Sequence, residues 1–376
     1  MTKEHHRQEL DPPERLDPAD ESAAPPERAL QKRAEFPDVQ GEIDALVSRC
    51  AGAEPDAFHA KLVRELITAA LKLIPDGRDS GELKLMTAAM KELRYAYRVF
   101  GAYSQPHKVT IFGSARTPED HPDYLSAVEF SRRMAEAGWM SITGAGDGIM
   151  KAGHVGPGRK ASFGVAIRLP FETTANEVIV DDEKLIHFKY FFTRKLIFLS
   201  QAEAVVCFPG GFGTMDEAFE TLTLVQTGKA SMIPIVMVEG QGPTAGYWAG
   251  FRRFIEQELL TRGWVSPEDP GLFYNAESAD DAANHVLQFY RNYHSSRYVR
   301  DDMVIRVQHR LTDEAIERLN DEFAVLVKSG RIHQRGAFDE ETDHRRLPRI
   351  VFAHTRHKFG LIRRLIERIN ALPTAD

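Results

Sequence analysis

Cysteine is nearly absent from this 376-residue chain: Cys50 and Cys207 are the only two, too few for a disulfide framework or a cysteine-rich zinc site. Long apolar runs are missing as well. No window reaches the ~18 uninterrupted apolar residues of a membrane-spanning helix, and the opening M-T-K-E-H-H-R-Q-E-L holds no apolar signal core, so the expectation is a protein of the reducing cytoplasm. An excess of positive charge is lacking too. The formal net charge of -7 argues against a protein whose main task is coating nucleic acid, because that task leaves a basic footprint. Two nucleotide signatures also fail to appear. Gly144, Gly146 and Gly148 are spaced two apart, where the dinucleotide fingerprint needs a gap of three, and no P-loop lysine follows a glycine and precedes Ser or Thr in such a turn.

What is present divides the chain into four stretches. Residues 1–37 are rich in Pro, Glu, Asp and Arg and poor in large apolar groups, a composition that cannot offset its ordering entropy, so a mobile tail is expected. Residues 38–104 turn helical: Phe58, Leu62, Leu66 and Ala70 share one face, Leu83, Leu85, Met86, Met90 and Leu93 form a second stripe, and about three helices follow from that periodicity. Residues 105–295 alternate short β-branched runs with helical stretches. The runs are Val109 to Phe112, Met140 to Thr143, Phe163 to Leu169, Ala204 to Phe208 and Ile233 to Val238. Continuous apolar strands separated by helices predict an α/β fold, a doubly wound, Rossmann-like parallel sheet that binds ligands at its strands' carboxyl ends. Residues 296–376 read as strand (Val304 to Val307), helix (Thr312 to Lys328, capped by Thr312), strands (Arg331 to Gln334 and Arg349 to Ala353) and helix (Lys358 to Ile369), a small α+β module. Its arginines, Arg297, Arg300, Arg306, Arg310, Arg345, Arg346, Arg349, Arg363 and Arg364, are expected on a solvated helix face or an oligomer contact.

Three strands of the sheet run into unusual loops: G-S-A-R (Gly113 to Arg116), T-G-A-G-D-G-I-M-K-A-G (Thr143 to Gly153) and P-G-G-F-G-T-M-D-E (Pro209 to Glu217). Glycines let the backbone approach a ligand with its N–H groups inward, and a following helix adds its positive dipole end, which together suit a phosphate. Thr214 with Glu217 three residues later also matches a capping box, opening a helix from Met215 to Thr227 that Gly228 closes; capping and a site role can coexist there. Upstream, in Y-F-F-T-R-K-L-I-F, Arg194 and Lys195 sit among aromatic and aliphatic helical neighbours and need either water at their tips or partners beyond their own helix: a phosphate, a buried carboxylate such as Glu217, or both. Asp147 can cap a helix or serve as an acid. His354 and His357, three apart without an evident third ligand, are taken as surface residues, Cys207 as core, and Ser114 as a possible substrate contact that lacks a serine-hydrolase elbow.

Together, Y-F-F-T-R-K, P-G-G-F-G-T-M-D-E and T-G-A-G-D-G-I-M resemble the motifs of the LOG ("Lonely Guy") family of phosphoribohydrolases, which release a free base from nucleoside 5'-monophosphates and have often been labelled lysine decarboxylases. No lysine here suggests a pyridoxal Schiff base. The resemblance spans about His107 to Tyr293 and is to one of the longer bacterial forms; Ala145 stands where many members have glycine, and Asp147 where proline or serine is common. Carried over, it implies Arg194 and Glu217 as the catalytic pair, with Gly210, Gly211, Gly213 and Thr214 on the 5'-phosphate and Gly113, Ser114, Gly144, Gly146, Asp147 and Lys195 as further substrate contacts. It implies no metal or organic cofactor, a substrate such as AMP or a cytokinin riboside 5'-monophosphate, and a homodimer or larger homo-oligomer. A nucleotide-sensing module of the same fold is the alternative; a nucleic-acid-processing protein is a third reading, which the acidic balance disfavours.

Overall fold

The computed structural model describes residues 38–51, 57–168 and 175–375, with the side chains of residues 51 and 57 left aside. The tail expected over residues 1–37 lies outside them, as does Leu169 of the expected third strand. In chain order the elements are α1 (Gln40–Ala51), α2 (Ala57–Lys72), α3 (Ser80–Gly101), β1 (Lys108–Phe112), α4 (Pro122–Glu136), β2 (Met140–Thr143), α5 (Ile149–Val155), β3 (Ser162–Ile167), β4 (Leu185–Phe188), α6 (Phe191–Ser200), β5 (Ala204–Cys207), α7 (Phe212–Gln226), β6 (Ile235–Val238), α8 (Tyr247–Phe254), β7 (Tyr274–Ala276), α9 (Ala279–Phe289), β8 (Tyr293–Val299), β9 (Asp302–Val307), α10 (Asp313–Phe323), β10 (Val327–Arg335), β11 (Arg349–His354) and α11 (Phe359–Ala371). The chain separates into two units between Thr87 and Ala88, inside α3. In the first, α1 meets α2 through Ile43, Val47, Ala60 and Ile67, supported by an Arg64–Asp44 ion pair at 2.5 Å. Phe58, Leu62 and Leu66, which share the other face of α2, are exposed.

The second unit is built on a seven-stranded sheet of order β4-β3-β2-β1-β5-β6-β7, in which every neighbouring pair is parallel. Both faces are apolar because alternate residues of each strand serve different layers. Val109 and Ile111, with Ala204, Val206, Val236 and Val238, pack under α4, α5 and α9; Phe112, Val205, Cys207, Ile235 and Met237 pack with α3, α6, α7 and α8 on the other side. The Phe100 ring, on the last turn of α3, stacks on Phe163 with centroids 4.2 Å apart. Chain order reverses between β1 and β5, so the crevice outside their carboxyl ends is the topological switch point. Three of the described strands escaped the sequence reading: β8 (Tyr293–Val299) and two in this sheet. L-I-H-F of β4 and Y-N-A of β7 are the sheet's edges, short and interrupted by a polar residue, so neither shows a continuous apolar run.

The remaining strands form an antiparallel sheet of order β10-β11-β9-β8, backed by α10 and α11 through Leu319, Phe323, Leu365 and Ile369. Thr312 caps α10 as expected, its hydroxyl accepting from the Ala315 N–H at 3.2 Å. That helix stops at Phe323, short of the expected Lys328, because Val327 already pairs with His354 of β11. His354 is likewise no surface group. It is buried, with Nε2 against the His357 carbonyl at 3.1 Å and Nδ1 against the Tyr298 hydroxyl at 2.6 Å; since a carbonyl only accepts, Nε2 carries the proton and Nδ1 accepts.

Three of the arginines expected on a solvated face are buried: Arg306, Arg349 and Arg363. Glu341, fully buried, bridges two of them, with Arg306 Nη2 at 2.7 Å and Arg349 Nε at 3.1 Å. Those hydrogen bonds outweigh the cost of burying the carboxylate and hold it down to about 2. Because the folded value lies below the unfolded one, the carboxylate stabilises the module above pH ~4.5 and the contribution fades as pH falls towards ~2. Glu341→Gln should therefore lower unfolding stability by about 3 kcal/mol at pH 7, and the wild-type advantage should shrink steadily below pH 4 in urea titrations. An equal difference at pH 7 and pH 3 would remove the electrostatic explanation.

Candidate active site

A cavity of about 1150 Å³ opens at the switch point, lined by residues that follow β1, β2, β3 and β5. Its floor depends on three loops touching backbone to backbone. The Ser114 N–H donates to the Pro209 carbonyl at 3.1 Å, and the Ser114 carbonyl accepts from the Ile149 N–H at 3.0 Å. No side chain fits between these segments: a Cβ on Gly210 would lie 2.9 Å from the Ser114 nitrogen and closer still to Thr214, and one on Gly148, which holds a φ of +59°, would lie 2.3 Å from the Ser114 oxygen. The Tyr247 hydroxyl, from α8, donates to the Gly210 carbonyl at 2.5 Å and fixes the loop from the other side.

Gly211 and Gly213 differ from Gly210. A Cβ on either would meet nothing within 4 Å; both residues line the cavity. The helix begins here, three residues before the expected Met215. Gly211 is the N-cap of α7, and no side chain caps the helix; Thr214 lies inside the first turn, its N–H bonded to the Gly211 carbonyl. The capping-box reading of Thr214 and Glu217 is thereby corrected, because the Phe212-Gly213 pair, which reads as turn, is helical. Gly228 does follow the helix end, with a φ of +67°. An uncapped helix start facing a cavity leaves donors and positive potential directed at whatever enters.

Freed from capping, Glu217 sits in the second turn with its side chain buried and Oε2 lacking a hydrogen-bond partner. Its nearest ion pair is Lys195, at 3.9 Å. Burial pushes the carboxyl up to about 7, against the opposing pull of Lys195 and Arg194. Lys195 bonds more closely to Asp216 (2.7 Å) and Glu220 (2.6 Å), tying α6 to α7. Arg194, one residue earlier, faces the cavity with its guanidinium over the rings of Phe191 (5.0 Å) and Phe198 (5.5 Å), a placement suited to its flat cation.

Of the residues proposed from sequence, Gly113, Ser114, Gly144, Gly146, Arg194, Gly210, Gly211, Gly213, Thr214 and Glu217 line this one cavity. Lys195 and Asp147 are not among the lining residues. Asp147 is exposed, and it is not the cap of α5, whose N-cap is Gly148. The sequence reading missed Arg168, His187 and Tyr247 on the cavity wall. A cation inside the otherwise apolar run Phe163 to Leu169 was the available signal for Arg168; His187 belongs to the unrecognised β4, and nothing near Tyr247 in sequence pointed to Gly210.

Asn176 and His154 were missed as well, and they hold the second glycine loop. The buried Asn176 amide donates to the carbonyls of Ala145 (3.1 Å) and Gly146 (2.9 Å). His154 reaches the Phe163 carbonyl through Nε2 at 3.0 Å, so Nε2 carries the proton and Nδ1 accepts from the Asn176 amide at 3.2 Å. Burial lowers the imidazole's pKa and keeps it neutral. This network holds Ala145 at a φ of +65°, a conformation that ordinarily favours glycine.

Comparison with known proteins adds three findings. A family profile described as "Possible lysine decarboxylase" matches residues 145–286. The cytokinin riboside 5'-monophosphate phosphoribohydrolase of Mycobacterium tuberculosis is 31% identical over 150 residues, 39% of this chain and 76% of that protein. Solved structures matched include the molybdenum cofactor carrier protein of Chlamydomonas reinhardtii (21% identity, 49% of this chain and 98% of that one, TM-score 0.35) and DNA processing protein A of Streptococcus pneumoniae (12% identity, 68% and 95%, TM-score 0.36). On the profile match and the identity to a relative of which it covers three-quarters, the chain belongs to the LOG family.

Proposed function

We propose that the protein is a phosphoribohydrolase that cleaves the N-glycosidic bond of a nucleoside 5'-monophosphate, AMP or a cytokinin riboside 5'-monophosphate, to free base and ribose 5-phosphate. One observation carries the reading: a buried carboxylate, Glu217, faces the same cavity as the Arg194 guanidinium, one helical turn beyond an uncapped glycine-rich helix start. The 5'-phosphate sits at the start of α7, against Gly210, Gly211, Gly213 and Thr214. Its charge is met by the helix dipole and by Arg194. Ribose then lies over Glu217.

As the C1'–N bond breaks, the bonding pair leaves with the base and positive charge builds on the ribose ring; water adds to C1', and the base takes up a proton. An ionised Glu217 stabilises that cation and orients or deprotonates the water. The nearby positive charges of Arg194 and Lys195 favour the ionised form, which burial alone opposes. A second copy of the chain covering the exposed Phe192 and Leu196 of α6, beside the cavity, fits the homo-oligomer that the resemblance implies.

Incubation with a panel of nucleoside 5'-monophosphates should release free base from the wild type, while Glu217→Gln and Arg194→Ala lower turnover by about 10²-fold or more with the fold intact. Tight nucleotide binding without base release from any of them would point instead to a sensor. Activity should rise with pH through about 7 as Glu217 ionises. Stability should move the opposite way: the folded carboxyl titrates above its unfolded value, so the cost of its charge grows between pH ~4.5 and ~7. Glu217→Gln should then unfold at higher temperature than wild type at pH 8, by up to about 3 kcal/mol of stability, and equally at pH 4; coincident melting curves at both pH values would contradict the raised pKa. The glycines separate by role. Gly213→Ala should keep the melting temperature and weaken nucleotide binding by about tenfold, whereas Gly210→Ala should destabilise the fold itself by about 1–3 kcal/mol.

A further inference from the structure

The cavity extends well past Arg194 and Glu217. Ala166 pairs in register with His187 of β4, and Arg168, two residues on, continues the ladder through its N–H to the Phe188 carbonyl at 2.8 Å. Alternation places Ala166, Arg168 and His187 on one face of the sheet, and all three line the cavity. The order β3-β2-β1-β5 sets this wall three strand spacings, roughly 14 Å, from the start of α7. On the phosphoribohydrolase reading, a nucleotide anchored by its phosphate there and lying along the cavity brings its base towards Arg168 and His187. Among the described lining residues, Arg116, Arg168, Arg194 and His187 stand against a single carboxylate, Glu217. Arg168 lies close enough to His187 for its charge, after burial, to lower the imidazole's pKa.

We propose that this distal wall is a second anion site, and that the nucleotide the cavity takes is a nucleoside 5'-monophosphate whose base carries a carboxylate-bearing substituent. The proposal rests on the phosphoribohydrolase reading for the orientation of the nucleotide. A carboxylate reaching Arg168 forms charge-assisted, two-pronged hydrogen bonds. An apolar prenyl substituent in the same place takes water from the guanidinium and the imidazole and returns nothing.

The test compares three probes: AMP, N6-(2-isopentenyl)-AMP and N6-(1,2-dicarboxyethyl)-AMP. For the wild type, kcat/KM for the dicarboxyethyl form should exceed that for the isopentenyl form by about tenfold or more. In Arg168→Ala that ratio should fall to near one, and in Arg168→Lys it should recover in part. An isopentenyl preference in the wild type, or a ratio unmoved by Arg168→Ala, overturns the proposal. Calorimetric titration of the same probes separates the two readings. Dicarboxyethyl-AMP binding about tenfold tighter than AMP to the wild type, and no tighter to Arg168→Ala, supports the anion site even if none of the probes releases base, an outcome that would remove the hydrolase reading alone. Equal affinities for the two in the wild type remove the anion site.

Discussion

The cavity depends on the close approach of three backbone segments, the loop after β1 held against the loops after β2 and β5. Ser114 bonds to Pro209 across the switch point, and there is no room for a Cβ on Gly210 or Gly148. This contact closes the floor of the crevice and sets where α7 begins. Because the helix starts at Phe212 with a glycine as its cap, its first turn has no side chain to satisfy it and faces the cavity. Glu217 then falls in the second turn, buried beside β5, and acquires a pKa far from that of a carboxylate in water.

Lys195 and Arg194 divide the work that one cation cannot do. Lys195 holds Asp216 and Glu220 and stands within 3.9 Å of Glu217, so it locks α6 against α7 and tempers the carboxyl's burial. Arg194 faces the cavity over two aromatic rings. Adjacent helical positions point about 100° apart, and for that reason an Arg-Lys pair can serve a wall and an interface at once. Farther out, His154 and Asn176 hold the second glycine loop by neutral hydrogen bonds, which keep their strength irrespective of the charge that enters.

Much of the sheet was legible because strands buried on both faces are rich in apolar and β-branched residues: β5 and β6 are apolar throughout, and β1, β2 and β3 interrupt their apolar residues only with small buried hydroxyls and, at the start of β1, a lysine. The edge strands β4 and β7 were not, since an edge tolerates the histidine of L-I-H-F and the asparagine of Y-N-A. The start of α7 was misplaced because Gly213 has the propensity of a turn, whereas the chain is already helical there, with the Thr214 and Met215 N–H groups both bonded to the Gly211 carbonyl. In the C-terminal module, Arg306 and Arg349 looked like surface residues; that they are buried follows from Glu341, 35 and 8 residues away, meeting both in one pair of sheets and helices.

By itself, then, the amino-acid order determined the alternation of strand and helix, the glycine loops that end three strands, and the pairing of a cationic dipeptide with a glycine-acid motif, because each is a local pattern of residue size, polarity and backbone freedom. Tertiary structure alone decided which cation meets Glu217, how far its carboxyl is shifted, and that Arg168, His187 and Tyr247 belong to the same cavity. Those are matters of distance and desolvation between segments far apart in the chain, and they exist only once the parallel strands have set their ends side by side.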